Sequence, residues 1–157
     1  MRENKIIWAN PDTSLLEKFV QARNRIFFRI CRYNNSGAIE RPVGLISRFS
    51  LEMDSIPASM QKIVRNAYAT IDGYIVQGVE LAVKNGELGA DTPTRIVMQL
   101  IRSIFFATPL AASISEFKKY DERLYGVLFT IRRAFGTHPA QTMDWPALPP
   151  AELEPGG

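Results

Sequence analysis

Residues 57–88 read PASMQKIVRNAYATIDGYIVQGVELAVKNGEL, and this stretch decides the fold. Met60, Ile63, Val64, Ala67, Ile71, Tyr74, Ile75, Gly78 and Ala82 recur at the helical period on one side. Lys62, Arg65, Asn66, Gln77, Glu80 and Lys84 mark the other. The pattern predicts one long helix from about Pro57 to Asn85, with Ser55 as its cap and Pro57 in its first turn. Asn85-Gly86-Glu87-Leu88 predicts a glycine-terminated end followed by an apolar clasp.

Two more helices are expected downstream. Asp91-Thr92-Pro93 opens the first, at about 93–108, with Thr92 or Asp91 as cap and Pro93 in its first position. Pro109 should bend or end it. Ser113 and Glu116 have capping-box spacing before the second, at about 115–135, which stops at Gly136. Both helices are apolar on more than one side and therefore need a partner. Upstream, Ser14 and Glu17 repeat the capping-box spacing at the start of a helix reaching about Tyr33. Its buried face is Leu16, Phe19, Val20, Ile26, Phe27 and Ile30, and Lys18, Arg25, Arg29 and Arg32 lie on another face. Pro42 opens a short helix carrying Val43, Leu45, Ile46, Phe49 and Met53. No segment alternates apolar and polar residues as a half-buried strand would. The expectation is an all-α, five-helix bundle: residues 1–12 an N-terminal arm, 13–136 the helical domain, 137–157 an extended Pro-rich tail.

Composition narrows the function classes. Hydrophobic content of 46% with 22% charge fits a soluble globular domain. The longest apolar region, Ile96–Ile114, is broken by Gln99, Arg102 and Ser103, short of the roughly 18 uninterrupted residues of a membrane span. No secretory signal opens the sequence, and Cys31 has no second cysteine to pair with, so a cytoplasmic location is the default. The net charge of +3 comes from residues 1–56, with nine Lys/Arg against six Asp/Glu. That excess is too small to indicate nucleic acid by itself, and the basic stripe reads either as a solvated face or as a contact for nucleic acid or an acidic partner.

The segment Arg41–Ala112 resembles the C-terminal domain of TetR-type regulators. The residues that carry the resemblance are Arg41-Pro42-Val43-Gly44-Leu45-Ile46, then Ser47 to Asp54, the long helix, Val83-Lys84-Asn85-Gly86-Glu87-Leu88 and Asp91-Thr92-Pro93. The resemblance implies a ligand-binding and dimerisation domain acting by conformational coupling. Family members carry an N-terminal helix-turn-helix of some fifty residues, and nothing of that kind precedes Thr13. The implied part is therefore the half without the DNA reader, whether by truncation or by nature, with no specific nucleic acid bound by this chain alone.

Candidate residues follow from chemistry and from that expectation. His138 and Cys31 lack any ligand spacing, so no metal set, cofactor or catalytic nucleophile is expected. Arg102 stands in an apolar helix. It reads as an ion-pair member or edge residue, as a pocket group for an acidic ligand, or as a dimer contact, and Asp72 is a possible mate. Phe27, Phe49, Met53, Tyr68, Ile71, Ile75, Met98 and Phe105, with Arg102, would line a site for a small apolar or aromatic effector. The pocket is expected between the first helix, the long helix and the Pro93 helix, with Ala67 and Gly78 leaving space. Ile104, Leu124, Leu128, Ile131 and Phe135 would form a homodimer interface. Two rivals stand beside this reading: an interaction protein that heterodimerises with and titrates intact regulators, and a small enzyme using the helical pocket.

Overall fold

The computed structural model describes residues 2–36, 52–107, 114–139 and 141–150. Over these residues the chain is all-α. Five helices form it: α1 (Arg2–Trp8), α2 (Leu15–Ser36), α3 (Ala58–Lys84), α4 (Thr94–Arg102) and α5 (Ile114–Phe135). A 3₁₀ turn, Met53–Ser55, precedes α3, and a π-turn, Ser103–Ala107, extends α4. Among the described residues no helix is long and apolar enough to cross a membrane. The short helix expected from Pro42, the Ser113 cap and Pro109 lie outside the described residues.

Several ends follow their local chemistry. The Ser14–Glu17 capping box closes reciprocally: Glu17 N–H donates to Ser14 Oγ at 3.1 Å, and Ser14 N–H to Glu17 Oε2 at 2.6 Å. Accepting the Ser14 N–H, with a smaller contribution from the Ser14 side chain, holds the Glu17 carboxyl below its ordinary pKa. At the end of α3, Gly86 takes φ 77°, so Glu87 N–H reaches Ala82 O at 2.9 Å and Gly86 N–H reaches Val83 O at 3.1 Å. Other caps differ from expectation. Thr92 does not cap α4; its hydroxyl donates to Gly89 O at 2.6 Å, and Pro93 holds the N-cap position. Ser55 does not cap α3, whose N-cap position is Pro57. α2 runs past Tyr33 to Ser36.

The main new element is α1, where an arm was expected. Its Trp8 is fully buried and meets Phe19 and Phe105 edge to face, with centroids 5.9 and 5.6 Å away. Lys18 holds the α1–α2 connection. Its ammonium is buried and donates to Asn10 O (2.5 Å), Thr13 O (2.8 Å) and Thr13 Oγ1 (2.8 Å). Burial lowers the Lys18 pKa, opposed by Glu87, Glu17 and Asp12. Arg25 pairs with Glu3 on α1. Two of the four residues expected on a basic face are thus spent on fastening α1.

The other end of the bundle is tied by one turn. The Glu87 carboxylate accepts Leu15 N–H, capping α2 from the α3–α4 connection at 3.0 Å. Gly89 N–H donates to Phe135 O at 2.8 Å, and Thr137 N–H to Glu87 O at 3.1 Å. After this clip residues 141–150 lie across α2 and α5 without regular structure. Trp145 meets Tyr125 edge to face at 5.9 Å, and its Nε1–H donates to Asp121 at 3.2 Å. Arg23, 1% exposed, completes the joint: its guanidinium donates to Pro146 O at 2.7 Å, pairs with Asp121 at 3.3 Å and lies 5.1 Å from the Trp145 ring centre.

Two predictions follow. A methyl group at Gly78 would lie 2.7 Å from the Trp8 carbonyl, whereas at Gly73 it meets nothing within 4 Å. Gly73→Ala should stabilise the fold by about 0.5–1 kcal/mol through helix propensity. Gly78→Ala should lower stability by about 1–3 kcal/mol despite the same gain, because backbone must move. Urea unfolding of the pair reads the difference directly. Trp145→Ala should cost about 2 kcal/mol through lost burial and lost cover over Arg23, and a change within a few tenths would show the tail to be energetically detached.

Candidate functional site

Along α3, Arg65, Tyr68, Ala69 and Asp72 stand at i, i+3, i+4 and i+7 and so share one face. With Val64, with Met53 from the 3₁₀ turn and with Arg102 from α4, they line a cleft of about 340 Å³. Ala69 carries no side chain past Cβ, which leaves room between the charged ends of the stripe.

Arg102 spans the cleft. Its Nη1 donates to Asp72 Oδ2 at 2.9 Å, and its guanidinium carbon lies 4.7 Å from the centre of the Tyr68 ring. It is 38% exposed and Asp72 is 21% exposed, so the pair is partly screened and modest in energy. The other carboxylate oxygen, Asp72 Oδ1, is buried and accepts no hydrogen bond. A buried acceptor without a donor carries a desolvation cost of about 1–3 kcal/mol. Arg65 is exposed and donates to the neutral Gln61 Oε1 at 3.2 Å. The cleft therefore holds two guanidinium groups against one carboxylate.

The sequence expectations divide here. Met53, Tyr68 and Arg102 do line the cleft, and Asp72 is indeed the mate of Arg102. Ile71, Ile75 and Met98 are buried in the core. Phe27 packs on Phe117 at 5.3 Å, and Phe105 on Phe19 at 5.3 Å. Phe49 lies outside the described residues. The space expected between the first helix, α3 and α4 is occupied by Trp8, whose carbonyl fills the gap at Gly78. Leu124, Leu128 and Ile131, expected at a dimer interface, are fully buried within the single chain and present no surface to a second copy. Ile104 and Phe135 are half-buried against the same core.

Other chemistry-bearing residues have plain surroundings. Cys31 is a buried thiol whose pKa burial raises. Burial likewise raises the Tyr120 phenol, which donates to Ile104 O at 2.9 Å. A hollow of about 520 Å³ beside Thr137, His138, Pro139 and Gln141 offers one titratable group and no convergent set. Among the described residues no three His, Cys, Asp or Glu side chains gather where a metal could bind. Two positions in these arrangements were missed from the sequence. Arg65 could have been found from its spacing to Tyr68 and Asp72, whereas the burial of Arg23 had no local signal.

Replacing Arg102 tests the pair. Arg102→Met leaves the Asp72 carboxylate without its cation and should cost about 1–2 kcal/mol. Asp72→Asn keeps an acceptor for Arg102 and should cost less than about 1 kcal/mol. Chemical denaturation ranks them, and the reverse order would remove Asp72 as the partner that matters.

No protein-family model, curated protein or solved structure matches this chain.

Proposed function

We propose that the chain is a TetR-like regulatory domain that binds a small aromatic effector in the α3–α4 cleft and couples its occupancy to the arrangement of α4. One observation carries the reading. Arg102 and Asp72 join the two helices across a cleft while one buried carboxylate oxygen has no donor. An unsatisfied acceptor at a helix junction is a place where a ligand can bias the junction. The order of a long helix, a glycine-closed turn and a helix entered through Pro93 supports the kinship with that family.

Homodimerisation belongs to the same proposal, on a different face. Leu100 and Ile96 (56% exposed) on α4, and Phe129 (48% exposed) on α5, are large apolar groups left in water by the two helices expected to dimerise. The same exposed groups favour the second reading, an interaction protein that pairs with intact regulators. Light scattering on the purified chain with a panel of aromatic compounds tests both. A ligand at a hundredfold excess over its dissociation constant should stabilise the fold by about 2.7 kcal/mol. The mass should be that of two chains, and Leu100→Glu should halve it. A monomer with no thermal shift from any compound, yet capturing a full-length regulator, would give the lead to the interaction protein.

A further inference from the structure

We propose that the cleft selects an aromatic carboxylic acid bearing a second substituent that donates a hydrogen bond, the class of hydroxy- and amino-aryl acids. This rests on the reading of the cleft as a ligand site and names what it takes.

The argument begins with Arg102, which at first sight is the acid receptor. It is already neutralised by Asp72 at 2.9 Å and stacked on Tyr68. A carboxylate placed on it would have to compete with Asp72. Among the described residues Arg65 has no ion-pair partner: it donates to the neutral Gln61. The cleft's surplus positive charge therefore sits at the Arg65 end. Two turns further along α3 is Asp72, about 10.5 Å away in rise, whose Oδ1 needs a donor. Between them lie the Tyr68 ring and the small Ala69, with Met53 and Val64 adding apolar wall. A cation at one end, an aromatic and apolar floor, and an unpaired acceptor at the other describe a ligand with the complementary order: anion, ring, donor.

Rival ligand classes fit less well. An organic cation could reach Asp72 but would meet two guanidinium groups in the same cleft. A purely apolar compound would leave Asp72 Oδ1 as unsatisfied as it is now. Seating the donor requires the Arg102 side chain to shift, since Oδ1 is buried. Its partial exposure permits that movement, and α4 would feel it.

Calorimetric titration with 4-hydroxybenzoate, benzoate, 4-methoxybenzoate and phenol tests the assignment on the full chain. Wild type should bind 4-hydroxybenzoate at least tenfold more tightly than benzoate or 4-methoxybenzoate. Arg65→Gln should lose at least tenfold for the acids and leave phenol unchanged. Asp72→Asn, which puts an amide where the acceptor stood, should erase or invert the preference for hydroxyl over methoxy. Should Asp72→Asn fail to fold, the exposed Arg65→Gln still decides, by comparing acid with phenol. Equal affinity for all three acids, or acid binding indifferent to Arg65, overturns the inference while leaving a ligand site. Binding of phenol alone does the same. Absence of binding by all four compounds overturns the inference. If a broad neutral panel also gives no shift, the ligand-site reading falls with it.

Discussion

At Gly78 the long helix has no side chain, and the carbonyl of Trp8 occupies the space. Any Cβ there would meet backbone at 2.7 Å, so α1 can lie this close to α3 only over this glycine. The consequence runs through the interior. With the end of α1 seated on α3, the Trp8 indole reaches the rings of Phe19 and Phe105 and joins α1, α2 and the π-turn after α4. The three rings fill the volume between the helices at edge-to-face distances. A ligand cavity in that volume would require their removal. Space for a small molecule is left on the far side of α3, where Ala69 interrupts larger residues.

Charge is used inside this bundle as a fastening. Lys18 and Arg23 are both on α2 and both almost wholly buried, and each ends on backbone carbonyls of a segment without regular structure. A buried cation of this kind is tolerable only when its donors are met. The irregular segment gains too, because its carbonyls find no partner in a helix or sheet. The α1–α2 connection and the C-terminal tail are thereby held by two cations in the first half of one helix. Glu87 works in the same sense with the sign reversed, its carboxylate receiving the free N–H of Leu15 at the start of α2.

Legibility in the sequence followed the range of the interaction. The long helix, its Gly86 stop and the Ser14–Glu17 box are written within four residues of each other, and the structure has them where periodicity and capping rules placed them. Val64, Ala67, Ile71, Ile75, Gly78 and Ala82 are buried as the pattern demanded, although Ile63 is exposed. Features that depend on distant partners were not readable. Residues 2–8 are too few to show a helical period, so α1 passed as an arm, and with it went the occupant of the Gly78 gap. The tail has the composition of a linker, yet one tryptophan finds a cation on α2 and a ring on α5. Leu124, Leu128 and Ile131 looked like an excess that needed a second chain. The excess was real, and α5 spends it within its own chain.

The cleft joins these threads because its two walls are anchored differently. α3 meets α1 at Gly78 and is closed by the turn at its C-terminal end. α4 is nine residues long and passes directly into a π-turn after Arg102. A π-turn carries one residue more than the helical ladder can pair. Within this turn the Ile104 carbonyl accepts the Tyr120 hydroxyl from α5 at 2.9 Å. Side-chain bonds to two neighbouring helices reach the end of α4: Arg102 to α3 and Tyr120 from α5. A ligand competing for Asp72 acts on the first of these while leaving the second in place. Under the proposed reading, this is how a small molecule against α3 would alter the position of α4, and with it the exposed Ile96 and Leu100 that a second chain would read.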